Sequence, residues 1–258
     1  MNDPHIESLR YRLEPSKDVT FQNPTPVMLD TSTFRLRLEQ NVLCIELKDH
    51  YASEEDARGM IEGYLRAWEM DAALKFGKGD ISFVFEGSRI IDRRPSPPGT
   101  PQIVEASAEL RGSASVTAAA HTIRRTYPTP PTRLKVSPDV ETIWHRFDGY
   151  LSNREPLPGM AYFCLSLLEG SAGGRNKAAK KYNIELAVLD KLGELTSTRG
   201  DTTEARKLNR GAPLVPLTVN ERTWIVEAIK ALIRRKAEYD FDPTCPLSRI
   251  TIGDLPKI

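Results

Sequence analysis

Two short segments around residue 40 alternate apolar and polar residues in the way that paired β-strands do. Residues 34–39 and 42–47 each carry an apolar residue at every second position, with Gln40 and Asn41 between them. A two-residue turn there pairs each apolar residue with an apolar partner: Phe34 with Leu47, Leu36 with Ile45, and Leu38 with Leu43. This register predicts a β-hairpin that buries one face.

The residues after the hairpin change from a two-residue period to the period of a helix. Within residues 54–76, apolar side chains recur three and four positions apart, namely Ala57, Met60, Ile61, Tyr64, Leu65 and Trp68. Ser53 and Asp56 fit an N-cap with a short capping box, and Gly77 and Gly79 end the pattern. We predict one long amphipathic helix.

Further strand patterns complete the first half of the chain. Residues 81–87 and 88–92 have the apolar character of two more strands. Residues 102–125 fit another hairpin, although the alanines there also allow a helix over residues 118–125. The first half is therefore predicted to be an antiparallel sheet packed on one long helix.

A proline-rich stretch separates this half from the rest of the chain. Residues 126–138 read TYPTPPTRLKVSP, and proline removes backbone donors and is excluded from helix interiors. We take this stretch as a domain boundary. It divides the chain into an α+β domain at residues 1–130 and a helical domain at residues 131–258.

The second half has the apolar spacing of several helices. Ser137 and Pro138 have the residue types that start a helix, and Thr218 and Glu221 form a capping box for the last one. The tail after Pro243 is predicted to be an extended strand or a docked arm. The predicted fold class is α+β, with an antiparallel sheet on a long helix followed by an all-α domain.

Composition and charge are those of an ordinary globular protein. Of 258 residues, 40% are hydrophobic and 28% charged, which argues against intrinsic disorder, and the net charge is +1. The charge is unevenly spread, because residues 39–71 hold nine acids and three bases, whereas residues 196–236 hold nine bases and four acids. This asymmetry indicates either partner surfaces or solvated helix faces.

Several classes of protein are not indicated. The first residues lack the pattern of a signal peptide, and no apolar run is long enough to cross a membrane. Cys44, Cys164 and Cys245 are far apart and fit neither a disulfide framework nor a zinc motif. We expect a cytoplasmic protein with no cofactor, no metal site and no membrane partner.

Residues 176–195 have the spacing of a helix-turn-helix. Ala179 stands where close helix packing needs a small residue, Asn183 suits the left-handed turn, and the expected buried positions are Ile184, Leu189 and Leu192. The exposed face of the second helix is mostly acidic, which disfavours entry into a DNA groove. An αα-hairpin within a helical bundle is the favoured interpretation.

A basic surface in the helical half is the alternative. Nucleic acid would then contact the candidate residues Lys177, Lys180, Lys181, Arg206, Lys207 and Arg210, with Arg234, Arg235 and Lys236 behind them. Lysines of the first helix of the hairpin can hold phosphates but do not read bases.

A third hypothesis starts from the strand that contains Glu46 and Lys48. An apolar strand ending in Glu-x-Lys resembles the metal-binding strand of the PD-(D/E)xK nucleases, in which these residues help hold Mg²⁺ and the attacking water. The resemblance implies a nuclease site built on Asp30, Glu46 and Lys48. The hairpin register also gives Glu46 a cross-strand partner in Arg35, so a solvated ion pair is the competing interpretation.

No convergent catalytic set stands out in the sequence. The four histidines form no metal motif, and no nucleophile elbow or phosphate-binding loop occurs. The leading hypothesis is a non-enzymatic protein that binds another protein or its own copy. The acidic start of the long helix, Glu54, Glu55 and Asp56, would be one contact and the basic region of the second half the other.

Overall fold

The computed structural model describes residues 3–77, 79–94, 122–200 and 215–258. The chain divides into two compact units, Met1–Pro131 and Thr132–Ile258. The first contains an antiparallel sheet and one long helix, and the second is helical. The predicted α+β fold class is therefore confirmed.

The first unit is built on a five-stranded antiparallel sheet. Its elements are β1 (Pro4–Pro15), β2 (Val19–Thr25), β3 (Val27–Asp30), β4 (Phe34–Glu39), β5 (Val42–Leu47), α1 (Glu54–Phe76), β6 (Ile81–Asp92) and β7 (Thr122–Thr126). The strand order is β3-β4-β5-β1-β6, so β1 lies inside the sheet and β6 at the end of its described part. Strands β2 and β7 form a separate parallel pair.

The predicted hairpin is confirmed in its register. Strands β4 and β5 pair Phe34 with Leu47, Leu36 with Ile45, and Leu38 with Leu43, and all six side chains are buried. Gln40 and Asn41 both have positive φ angles, at 50° and 62°, as the two-residue turn of a hairpin requires.

Helix α1 is also confirmed, with the predicted start and end. The Ser53 hydroxyl accepts a hydrogen bond from the Asp56 amide, and the Gly77 amide closes the last turn on Ala73 at a φ of 119°. Its apolar face packs against the sheet, where Trp68 is buried and donates its indole N–H to the Pro128 carbonyl at 3.1 Å.

The strand predictions need correction in two places. Residues 81–92 form the single strand β6 instead of two. Strand β1 was not predicted, because a bulge at Glu7 breaks the alternation of its buried residues. Residues 102–121 of the predicted hairpin lie outside the described part of the chain, and Thr122–Thr126 forms β7, which pairs in parallel with β2.

The second unit packs its helices around an apolar core. They are α2 (Pro138–Leu151), α3 (Leu157–Ala172), α4 (Arg175–Lys181), α5 (Leu186–Thr198) and α6 (Val219–Phe241), followed by a short 3-10 turn (Ile252–Asp254). The Ser137 cap and the capping box of Thr218 and Glu221 are both present, as predicted.

The C-terminal tail is a docked arm. Ile250 forms a parallel bridge with Ile184 in the turn between α4 and α5, accepting from the Glu185 amide at 2.8 Å and donating to the Asn183 carbonyl at 3.1 Å. The Asn183 side chain also donates to the Leu247 carbonyl. Among the helices that the structure describes, none is long and apolar enough to cross a membrane.

Candidate functional site

A groove opens in the first unit between α1 and β6. It encloses a cavity of about 300 Å³, at the lower end of the range typical of ligand pockets. Leu65 of α1 and Tyr11 of β1 line its inner part, and Phe83 and Phe85 of β6 form one wall. One end of the apolar core between α1 and the sheet is therefore accessible from solvent.

The β6 side of the groove has a backbone amide that faces away from the sheet. The Phe83 amide donates to the Glu69 carboxylate of α1 at 2.8 Å, although Phe83 stands opposite Leu13 of β1. This amide therefore points to the outer edge of β6. A bulge at Glu86 then interrupts the pairing with β1, so residues 81–85 form a separate regular segment beside the groove.

The inner end of the groove contains a buried hydroxyl whose proton has no acceptor. Tyr11 is 1% exposed, and its hydroxyl lies beside the Arg58 guanidinium, which can only donate, so the hydroxyl proton has no acceptor in the described structure. Its ring meets the Phe85 ring edge-on at 5.3 Å. Burial, reinforced by the negative charge of Glu62, raises the pKa of Tyr11 despite the charge and hydrogen bond of Arg58, so the group is a neutral O–H donor near neutral pH.

The rim of the groove carries two ion pairs. The Arg58 guanidinium lies 4.3 Å from the centre of the Phe85 ring and 2.7 Å from the Glu62 carboxylate. Arg66 and Glu69 form a looser pair at 3.5 Å. The four groups are balanced in charge, so the rim is polar without a net field of either sign.

The opposite edge of the sheet is protected. Strand β3 has only four residues and directly follows Pro26, which lacks a backbone donor. Short strands and prolines at a sheet edge prevent pairing with other chains. Strand β6, with twelve residues and no proline, has neither feature.

The residues of the nuclease hypothesis do lie together, on the solvated face of the sheet. Lys48 approaches Asp30 at 2.5 Å, while Arg35 stands between the two acids, 3.0 Å from Asp30 and 3.8 Å from Glu46. The bonds from Lys48 and Arg35 lower the pKa of Asp30. The carboxylates of Asp30 and Glu46 thus both face the Arg35 guanidinium. In the described ranges, no three His, Cys, Asp or Glu side chains converge to hold a metal ion.

The helix-turn-helix spacing corresponds to α4 and α5. Asn183 has the expected positive φ of 49°, and the predicted positions Ile184, Leu189 and Leu192 are buried. The small residue at the helix contact is Ala178, which is fully buried, whereas Ala179 is only half-buried. This correction shifts the contact by one residue.

The predicted cations of the helical half have different environments. Lys177 and Lys180 are exposed on α4. Lys181 donates to the Ser171 carbonyl at 2.9 Å and lies over two tyrosine rings. Arg206, Lys207 and Arg210 lie outside the described part of the chain.

Two residues placed behind this basic surface are buried. Arg235 is 3% exposed and donates to the Tyr182 carbonyl at 2.7 Å. Lys236 is paired with Asp139 and Asp240. These two side chains hold the helical bundle together, because each satisfies backbone or carboxylate oxygens of other turns.

The acidic start of α1 has local partners. Glu54 accepts from the Ser88 hydroxyl at 2.6 Å, and Asp56 accepts from the Ser53 hydroxyl at 2.6 Å. Acids in the first turn also suit the helix dipole. Of the three residues, Glu55 and Asp56 are exposed and Glu54 is half-buried.

Sequence reasoning missed the groove. Phe83 and Phe85 were assigned to a strand but not to a site, and Tyr11 lies in the strand that was not predicted. The one available signal was the alternation of Ile81, Phe83 and Phe85, which indicates a face directed into the core but does not show whether that face is accessible.

Comparison of the chain with protein-family models, curated proteins and solved structures found no match.

Proposed function

We propose that this protein binds another polypeptide by adding an extended segment of it as a strand along β6. The observation that carries the proposal is the segment 81–85, whose outer edge pairs with no strand among the described residues and which borders an accessible groove. In strand addition, main-chain hydrogen bonds give affinity and pockets for alternate side chains give specificity. The β6 edge and the groove supply these two elements side by side.

Strand addition agrees with the direction of the outward-facing backbone groups of β6. Alternate residues of a strand point their amides to the same edge and their side chains to the same face. Phe83 directs its amide outward and its ring into the groove, so an added strand would place every second side chain over the same groove. Glu69 occupies the Phe83 amide in the unbound chain, and a peptide carbonyl can take its place.

A partner chain fits better than a second copy of this protein. In a symmetric dimer, the β6 strands of the two copies would pair about a twofold axis at their middle. The bulge at Glu86 of one copy would then lie opposite the same bulge of the other copy. A bulge leaves its extra residue unpaired and disrupts the ladder. A short segment paired only with residues 81–85 avoids this interruption.

The test is selection of linear peptides from a display library against the full chain, followed by titration of the synthetic peptides. We expect Phe85→Ala to weaken binding at least tenfold, because the Phe85 ring lines the groove. Val84→Lys is the matched control, since Val84 is on the same strand but faces the other side of the sheet. It should bind as the unchanged protein does.

Hydrogen exchange locates the bound peptide. The amides of Phe83 and Phe85 should become protected in the complex, and circular dichroism should show that Phe85→Ala remains folded. Peptides that protect other regions, or that bind Phe85→Ala and the unchanged protein equally, would overturn the proposal. Failure to select any peptide, or dimerisation that protects β6 instead, would do so as well.

A further inference from the structure

We infer that the groove selects an uncharged primary amide, the side chain of glutamine or asparagine, at the position of the bound segment that enters it. This inference rests on the proposed function and specifies its ligand. It follows from the juxtaposition of the Tyr11 hydroxyl with two opposed ion pairs around one small cavity.

The Tyr11 hydroxyl calls for a hydrogen-bond acceptor. Arg58 can only donate to the hydroxyl oxygen, so the buried hydroxyl proton is left without an acceptor, and buried donors in folded proteins usually find one. Burial keeps Tyr11 protonated, so it offers a proton that a carbonyl oxygen can accept. An apolar side chain in the groove would leave this donor unsatisfied and cut off from water.

The rim excludes charge of both signs. A carboxylate entering the groove would face Glu62 and Glu69, and an ammonium or guanidinium would face Arg58 and Arg66. Each cation of the rim already has an acid within 3.5 Å, so neither sign is in excess. Removing a charged side chain from water without a full partner is costly.

A primary amide fits both conditions. Its carbonyl oxygen can accept from Tyr11, and its NH₂ group can donate to the carboxylates of Glu62 or Glu69. Its methylene groups can lie against Phe83 and Phe85. Serine and threonine also carry an acceptor, but their short side chains do not span from the peptide backbone at the β6 edge to Tyr11 on the neighbouring strand.

The experiment compares four versions of a selected peptide against three proteins. The peptides carry Gln, Met, Glu or Lys at the position where alanine substitution weakens binding most. The proteins are the unchanged chain, Tyr11→Phe and Tyr64→Phe. Tyr64 is the matched control, because its hydroxyl is also buried without a partner but it does not line the cavity.

We expect the unchanged protein and Tyr64→Phe to bind the Gln peptide about tenfold more tightly than the Met peptide. Tyr11→Phe should reduce this preference to less than twofold, and the Glu and Lys peptides should bind more weakly than the Met peptide throughout. An unchanged preference in Tyr11→Phe, or a preference for Glu or Lys, would overturn the amide assignment.

The two proposals fail in distinguishable ways. If peptides protect Phe83 and Phe85 but show no coupling to Tyr11, strand addition stands and the amide assignment is wrong. If no peptide protects these amides, both proposals are wrong.

Discussion

The guanidinium group of Arg175 lies directly against Gly193. A Cβ atom built on Gly193 would stand 2.7 Å from the Arg175 Nη2 atom. In this position Arg175 reaches Glu169 of α3 at 2.6 Å and Asp190 of α5 at 3.0 Å, so it joins three helices. The glycine thus leaves room for the Arg175 guanidinium in this position, where it joins α4 to α3 and α5.

Gly193→Ala should therefore change the free energy of unfolding by less than about 1 kcal/mol. The Arg175 guanidinium ends a flexible, partly exposed side chain that can move aside, and its weakened ion pairs offset the roughly 1 kcal/mol gained when a helical glycine becomes alanine. In an Arg175→Ala background the same change should stabilise, since the obstructing group is absent. Urea unfolding of the four proteins measures this, and an equal effect of Gly193→Ala in both backgrounds would contradict the packing argument.

Tyr11→Phe should leave the free protein as stable as before, or stabilise it by about 1 kcal/mol. The change removes a buried hydroxyl whose proton has no acceptor in the described structure, and it keeps the ring against Phe85. The free energy of unfolding without peptide is the measurement. Destabilisation by more than about 1 kcal/mol would show that the hydroxyl has a structural partner in solution.

Glu221 should make the stability of the protein depend on pH in the acid range. Burial pushes its pKa up, but its hydrogen bonds with Thr218 and the nearby charge of Arg199 together hold the pKa below its ordinary value of 4.5. The folded state therefore binds fewer protons than the unfolded state, so this stabilisation is complete above pH 4.5 and is lost as the pH falls.

Glu221→Gln tests this dependence in urea unfolding at a series of pH values. The variant should lose less stability than the unchanged protein as the pH falls below 4.5. Glu227→Gln, on the same helix, should keep the original dependence. Parallel curves for Glu221→Gln and the unchanged protein would exclude Glu221 as a source of the acid sensitivity.

Arg235→Met should cost about 2–4 kcal/mol of stability, because it leaves the buried carbonyl oxygen of Tyr182 without this donor. Lys230→Met on the same helix removes a partly exposed pair with Glu227 and should change stability by less than about 0.5 kcal/mol. Chemical unfolding of both variants compares them. Equal small effects would mean that Arg235 is not structural.

Local signals made much of the fold predictable. The turn at Gln40 and Asn41 sets the register of a hairpin, and Ser53 and Thr218 cap helices through atoms only three residues away. Strand β1 was missed for an equally local reason, since the bulge at Glu7 shifts the buried side chains by one position.

The groove was not predictable from such signals. It joins Tyr11, Arg58 and Phe85, which are far apart in the sequence, and no short pattern distinguishes an accessible inward face from a closed one. For the same reason Arg235 and an exposed cation look alike in the sequence. The carbonyls that hold Arg235 belong to residues 52 and 53 positions earlier in the chain.

The docked arm has a consequence for the order of folding during synthesis. The turn between α4 and α5 obtains its hydrogen bonds to Leu247 and Ile250 only after those residues have been made. The sheet of the first unit has all its described strands by residue 126. On the ribosome, the first unit can therefore be complete while the helical unit still lacks the contacts that close it.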